Sequence, residues 1–141
     1  MDFTFPNNII FECCKCGICC GDTKEKNRHV LLLEQEANEI STETCLLKET
    51  FTTQIADKDP YCYEMKKNNK GKCFFLKDNQ CRIYEQRPLI CRFYPFELKF
   101  DRGKNQYEFN FTIECPGITK GKLATKNDFE DLFLLAKKRL L

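Results

Sequence analysis

The sequence predicts a small α+β domain organised around cysteine-ligated metal, and three observations lead to this prediction. The chain has 141 residues, which suits one domain with a modest hydrophobic core. Short apolar runs alternate with turn signals, and a longer amphipathic segment closes the chain. The chain contains 11 cysteines, several of them crowded into residues 13–20. We therefore predict a single domain over residues 1–141, in which metal centres stabilise short helices and β-hairpins.

The N-terminal half contains one predicted helix and one predicted hairpin loop. We predict a helix from Val30 to about Ile40, because apolar side chains recur there on one side at helical spacing. Asp59-Pro60 marks a turn. Two short apolar runs follow, Tyr61–Met65 and Cys73–Leu76, and the polar segment 66–72 between them suits a hairpin loop.

Short elements continue through the middle of the chain. Residues 77–80 are predicted to turn, and residues 82–86 are predicted to form a helical turn that stops before a proline. Leu89–Phe93 is predicted to form a second short helix. Phe96–Phe100 and Tyr107–Ile113 alternate between apolar and polar side chains, which is typical of two strands joined by a turn.

The last segment carries the full set of helix signals. Thr125 or Asn127 can cap its N-terminus, and Asp128 lies in the first turn, where a negative charge favours the helix dipole. The basic residues 137–139 lie in the last turn. One face of this predicted C-terminal amphipathic helix is apolar and contains Phe129, Leu132, Phe133, Ala136 and Leu140.

The composition favours a folded protein in a reducing compartment. Hydrophobic residues make up 42% and charged residues 31% of the chain. No apolar run is long enough to span a bilayer, and the first residues lack the basic and apolar regions of a secretion signal. The odd cysteine count and adjacent pairs such as Cys19–Cys20 argue against a disulfide framework. We therefore expect a cytoplasmic protein with reduced thiols and no membrane contact.

The N-terminal cysteine cluster, FECCKCGICC over residues 11–20, predicts metal binding. Thiolates are soft, anionic ligands, and several of them held close together repel one another unless a cation lies among them. Two-residue spacers let consecutive cysteines converge on one centre, and Gly17 supplies backbone freedom to a tight loop. The C-x2-C-x2-C spacing occurs in iron–sulfur proteins, and paired C-x2-C units occur in zinc sites.

The order of the motifs resembles the YkgJ-type cysteine-cluster family, described as a zinc- or iron-chelating domain. F-x-C-x2-C-G-x-C-C begins at Phe11, and G-x-C-x-F-L begins at Gly71. C-x-I-Y-E-x-R-P-x2-C-R-x-Y-P-F begins at Cys81, and E-C-P-G-I begins at Glu114. The resemblance covers residues 11 to about 121, which is most of the chain.

The resemblance implies a set of cysteine ligands. Those that fall within the family motifs are Cys13, Cys16, Cys19, Cys20, Cys73, Cys81, Cys91 and Cys115. Eight ligands suit two four-coordinate sites or one larger polynuclear centre. Cys45 and Cys62 fall outside the motifs and are interpreted as small buried side chains, whereas Cys14 can either replace a neighbouring ligand or remain free.

The surroundings of the later cysteines suit thiolates. Cys73, Cys81, Cys91 and Cys115 lie at turns or next to proline and glycine, where backbone amides can donate to sulfur. Three arginines are close in sequence to Cys81 and Cys91. They either offset the negative charge of the thiolates or form a solvated surface. These are Arg82, Arg87 and Arg92.

An all-cysteine ligand set favours iron–sulfur over zinc. The chain contains a single histidine, His29, and it lacks the second C-x2-C pair that zinc sites prefer. The match to the bacterial ferredoxin run is partial, because the Cys-Pro that closes such a run stands far away at Cys115. We predict one or two iron–sulfur clusters of the [4Fe-4S] type, with zinc as the alternative metal.

Three functions are compatible with this interpretation. The first is redox: electron transfer or sensing by the cluster, with an unidentified protein or redox partner. The second is a zinc-stabilised module that binds a protein or nucleic acid, and its best basic patch comprises Lys66, Lys67, Lys70 and Lys72. Ligating thiolates would outweigh the formal net charge of +2, so the charge gives little support for nucleic acid. The third is a metal-dependent enzyme, because related domains occur in some flagellin lysine methylases; no catalytic residue is predicted.

Overall fold

The computed structural model describes residues 3–12, 21–22, 27–112, 117–118 and 120–140. Its contacts divide the chain into two compact units. One comprises Gly17–Arg92, and the other combines Met1–Cys16 with Phe93–Leu141. Both mix helices with strands, which confirms the predicted combination of the two. The organisation of residues 1–141 as one domain stays a prediction.

A three-stranded antiparallel sheet and two helices form the first part of the unit Gly17–Arg92. The strand order is β3-β5-β4, so the last of these three strands along the chain lies in the centre of the sheet. Its elements are β3 (Leu31–Leu32), α1 (Glu34–Thr44), α2 (Lys48–Phe51), β4 (Thr52–Gln54) and β5 (Tyr63–Met65). The apolar faces of these elements meet in one cluster. Its buried members are Val30, Leu32, Ile40, Phe51, Met65, Phe75 and Ile83.

The predicted helix at Val30–Ile40 is wrong at its start. Val30 and β3 are extended, because the amide of Met65 donates to the carbonyl of Val30 at 2.9 Å and β3 pairs with β5. The spacing of these residues also fits a helix, but sheet pairing makes them extended, and α1 begins only at Glu34. α1 also extends past Ile40 and ends at Thr44, before a left-handed residue, Cys45.

A hairpin and two short helical segments complete this unit. β6 (Leu76–Lys77) pairs with β7 (Gln80–Cys81) through a tight turn at Asp78-Asn79, where both residues have positive φ. A 3-10 turn spans Tyr84–Gln86, and α3 spans Leu89–Phe93. These bounds confirm the predicted turn over 77–80, the predicted helical turn and the predicted short helix.

The loop predicted over residues 66–72 is confirmed as a tight turn, but its flanks pair differently from the prediction. The amide of Asn68 donates to the carbonyl of Lys72 at 2.8 Å, and Lys67 forms an antiparallel bridge with Cys73. β5, just before this turn, pairs with β3 and β4. β6, just after it, pairs with β7.

The second unit contains two small sheets and the C-terminal helix. Its elements are β1 (Phe3–Thr4), β2 (Ile10–Phe11), β8 (Phe96–Asp101), β9 (Gln106–Phe111), β10 (Lys122–Leu123) and α4 (Lys126–Leu140). The strand order is β1-β9-β8 in one sheet and β10-β2 in the other. β8 and β9 confirm the two predicted strands, although β9 ends at Phe111 and Ile113 lies outside the described residues.

Aromatic packing joins α4 to the sheet β1-β9-β8. The ring of Phe129 lies 4.9 Å from that of Phe96 and 5.0 Å from that of Phe109, and the ring of Phe133 lies 5.0 Å from that of Phe3. Phe129, Phe133 and Ala136 are buried, as the predicted apolar face requires. Thr125 caps the helix through reciprocal hydrogen bonds with Asp128. No helix among the described residues is long and apolar enough to cross a membrane.

Candidate metal centre

Three of the predicted ligands lie in the described residues, and all three belong to the unit Gly17–Arg92. Cys73, Cys81 and Cys91 are each partly buried, and each packs against the same apolar cluster. The structure therefore gathers them around one core, although they lie on three different elements. The other predicted ligands, Cys13, Cys16, Cys19, Cys20 and Cys115, lie outside the described residues, as does Cys14.

Cys73 is held at the end of the tight turn over residues 67–73. The amide of Phe75 donates to the Sγ of Cys73 at 3.5 Å, which confirms the expectation that a backbone amide near this cysteine reaches its sulfur. A hydrogen bond of this kind stabilises the thiolate, because the N–H dipole offsets part of the negative charge. This contact suits the predicted role of Cys73 as a ligand, which stays a prediction.

Cys81 is connected to Cys73 through Phe75. Cys81 lies in β7 opposite Leu76, and the amide of the following residue, Arg82, donates to the carbonyl of Phe75 at 2.9 Å. Phe75 is buried, and its ring lies 5.3 Å from that of Phe51. One buried residue thus hydrogen-bonds to the sulfur of Cys73 and to the backbone just after Cys81.

Cys91 lies in α3, and a buried carboxylate anchors the start of this helix. Oε2 of Glu36 accepts the amide of Leu89 at 2.6 Å, and Oε1 accepts the amide of Leu33 at 3.0 Å. Glu36 is 3% exposed, so it satisfies the N-terminal amides of both α1 and α3 away from water. Glu36 is not among the predicted site residues, because a helix that begins at Val30 gives it no capping position. The observed start at Glu34 makes Glu36 the third helical residue, where a capping carboxylate belongs.

The arginines near Cys81 and Cys91 fix the connection between them. Nε of Arg87 donates to the carbonyl of Tyr84 at 2.9 Å, and its guanidinium lies 3.8 Å from the centre of the Tyr84 ring. Nε of Arg92 donates to the carbonyl of Arg87 at 2.9 Å, and Nη2 donates to the carbonyl of Glu85 at 2.6 Å. Their predicted role as counter-charges to thiolates stays a prediction.

The described residues on either side of the N-terminal cysteine cluster pair with residues that are close in sequence to other predicted ligands. Gly21, immediately after Cys20, forms an antiparallel bridge with Lys72, immediately before Cys73. On the other side, the amide of Glu12, immediately before Cys13, donates at 3.1 Å to the carbonyl of Gly117, two residues after Cys115.

Glycine is required at both of these backbone crossings, one between Gly21 and Lys72 and the other between Gly117 and Glu12. A Cβ on Gly21 would lie 2.6 Å from the carbonyl oxygen of Gly71, and a Cβ on Gly117 would overlap the carbonyl oxygen of Glu12. Only a residue without a side chain lets the two backbones approach so closely. The glycines that follow Cys20 and Cys115-Pro116 thus have a packing role that the sequence motifs did not explain.

Cys73 also lines a surface pocket beside this crossing. The pocket encloses about 190 Å³ of empty space open to solvent. It is lined by Gly21, Arg28, Val30, Met65, Lys66, Lys67 and Cys73. Three of these lining residues, Arg28, Lys66 and Lys67, are cationic.

The basic patch predicted over residues 66–72 is partly engaged in internal contacts. Nζ of Lys67 lies 2.8 Å from Oδ1 of Asp22, and Nζ of Lys66 donates to the carbonyl of Glu49 at 2.7 Å. The hydrogen bond from Lys67 and the amide of Arg28 hold the pKa of Asp22 below its ordinary value. These lysines connect the turn to neighbouring segments, which leaves less of the patch for a nucleic acid.

The histidine and the two cysteines outside the motifs lie in other settings. Nδ1 of His29 lies 3.0 Å from Oε2 of Glu64, and the His29 side chain is 60% exposed. Sγ of Cys62 donates to the carbonyl of Pro60 at 3.7 Å, and Cys62 is half-buried. Cys45 is exposed and has a left-handed φ of 59° at the C-terminus of α1, so its interpretation as a buried side chain is wrong.

Within the described ranges, no group of three or more histidine, cysteine, aspartate or glutamate side chains is close enough to hold a metal ion. Cys73, Cys81 and Cys91 therefore do not form a complete site by themselves. The chemistry of the donors nevertheless fits a soft metal, since all three are thiols and one already accepts an amide hydrogen bond. Any centre that they ligate needs further ligands from elsewhere in the chain.

Comparisons with known proteins identify the kind of domain. A family model described as "CxxCxxCC: putative zinc- or iron-chelating domain" matches residues 12–116. An uncharacterised protein of Methanocaldococcus jannaschii is 29% identical over 129 residues, which cover 89% of this chain and 67% of that protein. No solved structure matches the chain. Because the family model covers well over half of the sequence, the chain belongs to the YkgJ-type cysteine-cluster family of zinc- or iron-chelating domains.

Proposed function

We propose that this protein holds one or two iron–sulfur clusters of the [4Fe-4S] type and acts in electron transfer or redox sensing with a protein partner. The proposed ligands are Cys13, Cys16, Cys19, Cys20, Cys73, Cys81, Cys91 and Cys115. Such a cluster supplies reversible one-electron chemistry when bound. The observation that carries the proposal is the bridge between Gly21 and Lys72, because these residues come directly after Cys20 and directly before Cys73 in the sequence.

The pairing supports a shared centre because it is local to both cysteines. Gly21 and Lys72 are bridged in backbone register, and the amide of Asp22 donates to the carbonyl of Gly71 at 2.9 Å. Cys20 and Cys73 each lie one residue from this bridge. Antiparallel pairing continued by one residue would set Cys20 opposite Cys73, close enough for the two to share a metal centre.

The surroundings of the described ligands support a cluster shielded from water. Cys73, Cys81 and Cys91 pack against buried aliphatic and aromatic side chains, including Phe75. An apolar shell and hydrogen bonds to sulfur are the features that tune the potential of a thiolate-ligated centre. The chain supplies both at Cys73.

The donor set favours iron–sulfur over zinc. Zinc sites often combine cysteine with histidine, whereas His29 is directed to the carboxylate of Glu64 and is largely exposed. His29 is not a predicted ligand, and all the predicted ligands are cysteines. Zinc stays the competing metal, and it would make the centre structural and turn attention to a binding surface.

The experiment is metal and acid-labile sulfide analysis, with a visible absorption spectrum, on protein purified without oxygen. We expect iron and sulfide in comparable amounts and a broad band near ~400 nm, as thiolate-ligated clusters show. Stoichiometric zinc in a colourless sample would contradict the iron–sulfur proposal.

Serine variants test the ligand assignment with a matched control. Cys73→Ser and Cys91→Ser are expected to lose most of the bound metal, since a serine hydroxyl is a poor ligand for a soft metal. Cys45→Ser is the control, because Cys45 is exposed and outside the family motifs. Equal metal content in all three variants would refute the proposed ligands.

A further inference from the structure

β8 is an edge strand whose outer side pairs with no other strand in the described part of the chain. The sheet order β1-β9-β8 leaves β8 (Phe96–Asp101) at the end, and only β9 is hydrogen-bonded to it. Six consecutive residues pair with β9 in a regular register, so β8 contains no bulge. An edge that is regular and unpaired over six residues, as this one is within the described ranges, is a template for another strand.

The register shows which backbone groups point outward. The amide of Thr112 donates to the carbonyl of Pro95 at 3.0 Å, and Phe96 lies opposite Phe111. Hydrogen-bonded and non-hydrogen-bonded pairs alternate along an antiparallel ladder, so Glu97 and Lys99 turn their backbone groups toward β9. The N–H and C=O groups of Phe96, Leu98 and Phe100 therefore point away from the sheet.

The sequence of β8 is complementary to itself when it is read in the antiparallel direction. If two copies of β8 pair about Leu98, each Glu97 lies opposite Lys99 of the other copy, and each Phe96 lies opposite Phe100 of the other copy. This register also brings together the residues whose backbone groups point outward. The two charge pairs then occupy the non-hydrogen-bonded positions, where opposing side chains are closest.

This edge exposes two charged side chains and one aromatic ring. The side chains of Glu97 and Lys99 are 66% and 61% exposed, and they lie 3.8 Å apart within the strand. Phe100 is 47% exposed, although its ring lies 4.9 Å from that of Tyr107. A second strand would cover the free side of this aromatic residue and replace water at the charged pair.

We infer that β8 pairs with β8 of a second copy of this chain, in antiparallel register about Leu98, and that the two sheets join into one. The interface is isologous, because the same strand contributes to both sides, and it closes as a two-fold dimer without open ends. It is formed by the unit that contains β8 and is independent of which metal the protein binds.

Charge reversal tests the register. Sedimentation velocity of the metal-loaded protein is measured from about 1 µM to about 1 mM, a range that covers the affinity expected of a single strand pairing. The wild type is expected to shift with concentration from 16.7 kDa toward twice that mass. Glu97→Lys and Lys99→Glu each turn both cross-strand pairs into like-charge pairs, and each is expected to raise the dimer dissociation constant at least ~10-fold.

The double variant Glu97→Lys/Lys99→Glu exchanges the charges and is expected to restore dimerisation to within ~3-fold of the wild type. Lys104→Glu is the matched control, since Lys104 is exposed in the turn after β8 and makes the same charge change outside the strand. A wild type that stays monomeric throughout would overturn the inference. Dimerisation that survives both single reversals would overturn it equally.

Hydrogen exchange of the unmodified protein keeps the inference testable if a variant does not fold. The amides of Leu98 and Phe100 point outward and are expected to exchange rapidly at low concentration and slowly at high concentration. The amides of Glu97 and Lys99, which bond to β9, serve as internal controls with little dependence on concentration. Concentration-independent exchange at Leu98 and Phe100 would refute the pairing.

Discussion

The buried carboxylate of Glu36 anchors the N-terminus of α3, the helix that contains Cys91. Glu36→Ala is therefore expected to destabilise the position of this predicted metal ligand, although the cysteine itself is unchanged. In the native protein the two carboxylate oxygens accept the amides of Leu33 and Leu89 at 3.0 and 2.6 Å. Alanine accepts neither. Both amides would then be left without this acceptor in a region where Glu36 is only 3% exposed.

The magnitude follows from these two amides. Each buried donor that loses its acceptor costs about 1–3 kcal/mol, which gives about 2–6 kcal/mol for the pair. Part of this cost is offset, because the variant has no carboxylate to desolvate when the protein folds. We therefore expect Glu36→Ala to lower the free energy of unfolding by about 3 kcal/mol, which corresponds to a fall in Tm of about 10 °C for a domain of this size.

The assay is urea unfolding of the metal-loaded protein, combined with hydrogen exchange at the amide of Leu89. Exchange at Leu89 is expected to accelerate more than exchange in β5, because the variant frees the start of α3. Glu39→Ala is the control: Glu39 is exposed on α1, and its carboxylate accepts only the side chain of Gln35 among the contacts seen. The control is expected to stay within ~0.5 kcal/mol of the wild type. A loss below ~1 kcal/mol in Glu36→Ala, with unchanged exchange at Leu89, would refute the anchoring role.

Three further substitutions test other parts of the structure. Gly21→Ala is expected to lower both metal content and Tm, since its Cβ would lie 2.6 Å from the carbonyl oxygen of Gly71; unchanged metal content would show that this crossing does not serve the centre. Cys45→Gly is expected to raise the free energy of unfolding by up to about 1 kcal/mol, because glycine tolerates the φ of 59° that strains cysteine; a lower stability in urea would contradict this. Burial, and secondarily the charge of Glu36, raises the pKa of Tyr61 above its ordinary value of 10.0. Because the native state disfavours the tyrosinate, the free energy of unfolding is expected to fall as pH rises above 10.0. Tyr61→Phe is therefore expected to lose less stability than the wild type in urea unfolding above that pH; an equal loss would exclude Tyr61 as the cause.

Local signals predicted most of the short elements near the candidate site. The helix Leu89–Phe93 was predicted at its observed bounds because Pro88 and Pro95 restrict where a helix can begin and continue. The turn over residues 77–80 followed from Asp78 and Asn79, residue types that tolerate positive φ. Such elements are determined by backbone preferences of a few neighbouring residues.

Predictions failed where distant pairing decided the outcome. Val30–Leu32 fits the spacing of a helix, yet this segment pairs with β5, more than thirty residues later in the chain. Tyr61–Met65, whose hairpin partner was predicted in Cys73–Leu76, pairs instead with the distant β3 and with β4, which comes shortly before it in the chain. Apolar runs of this length are compatible with either structure, and the sheet that buries them makes the choice.

Residue types and their order along the chain establish which family this protein belongs to, since the order of the cysteine motifs identifies it. Thiol side chains are soft ligands wherever they lie, because ligand type is a property of each residue alone. The contacts that support the predicted ligands Cys73 and Cys91 depend on the fold. The capping of α3 by Glu36 and the crossing at Gly21 join residues far apart in the chain, and such contacts depend on how the chain packs rather than on any local preference.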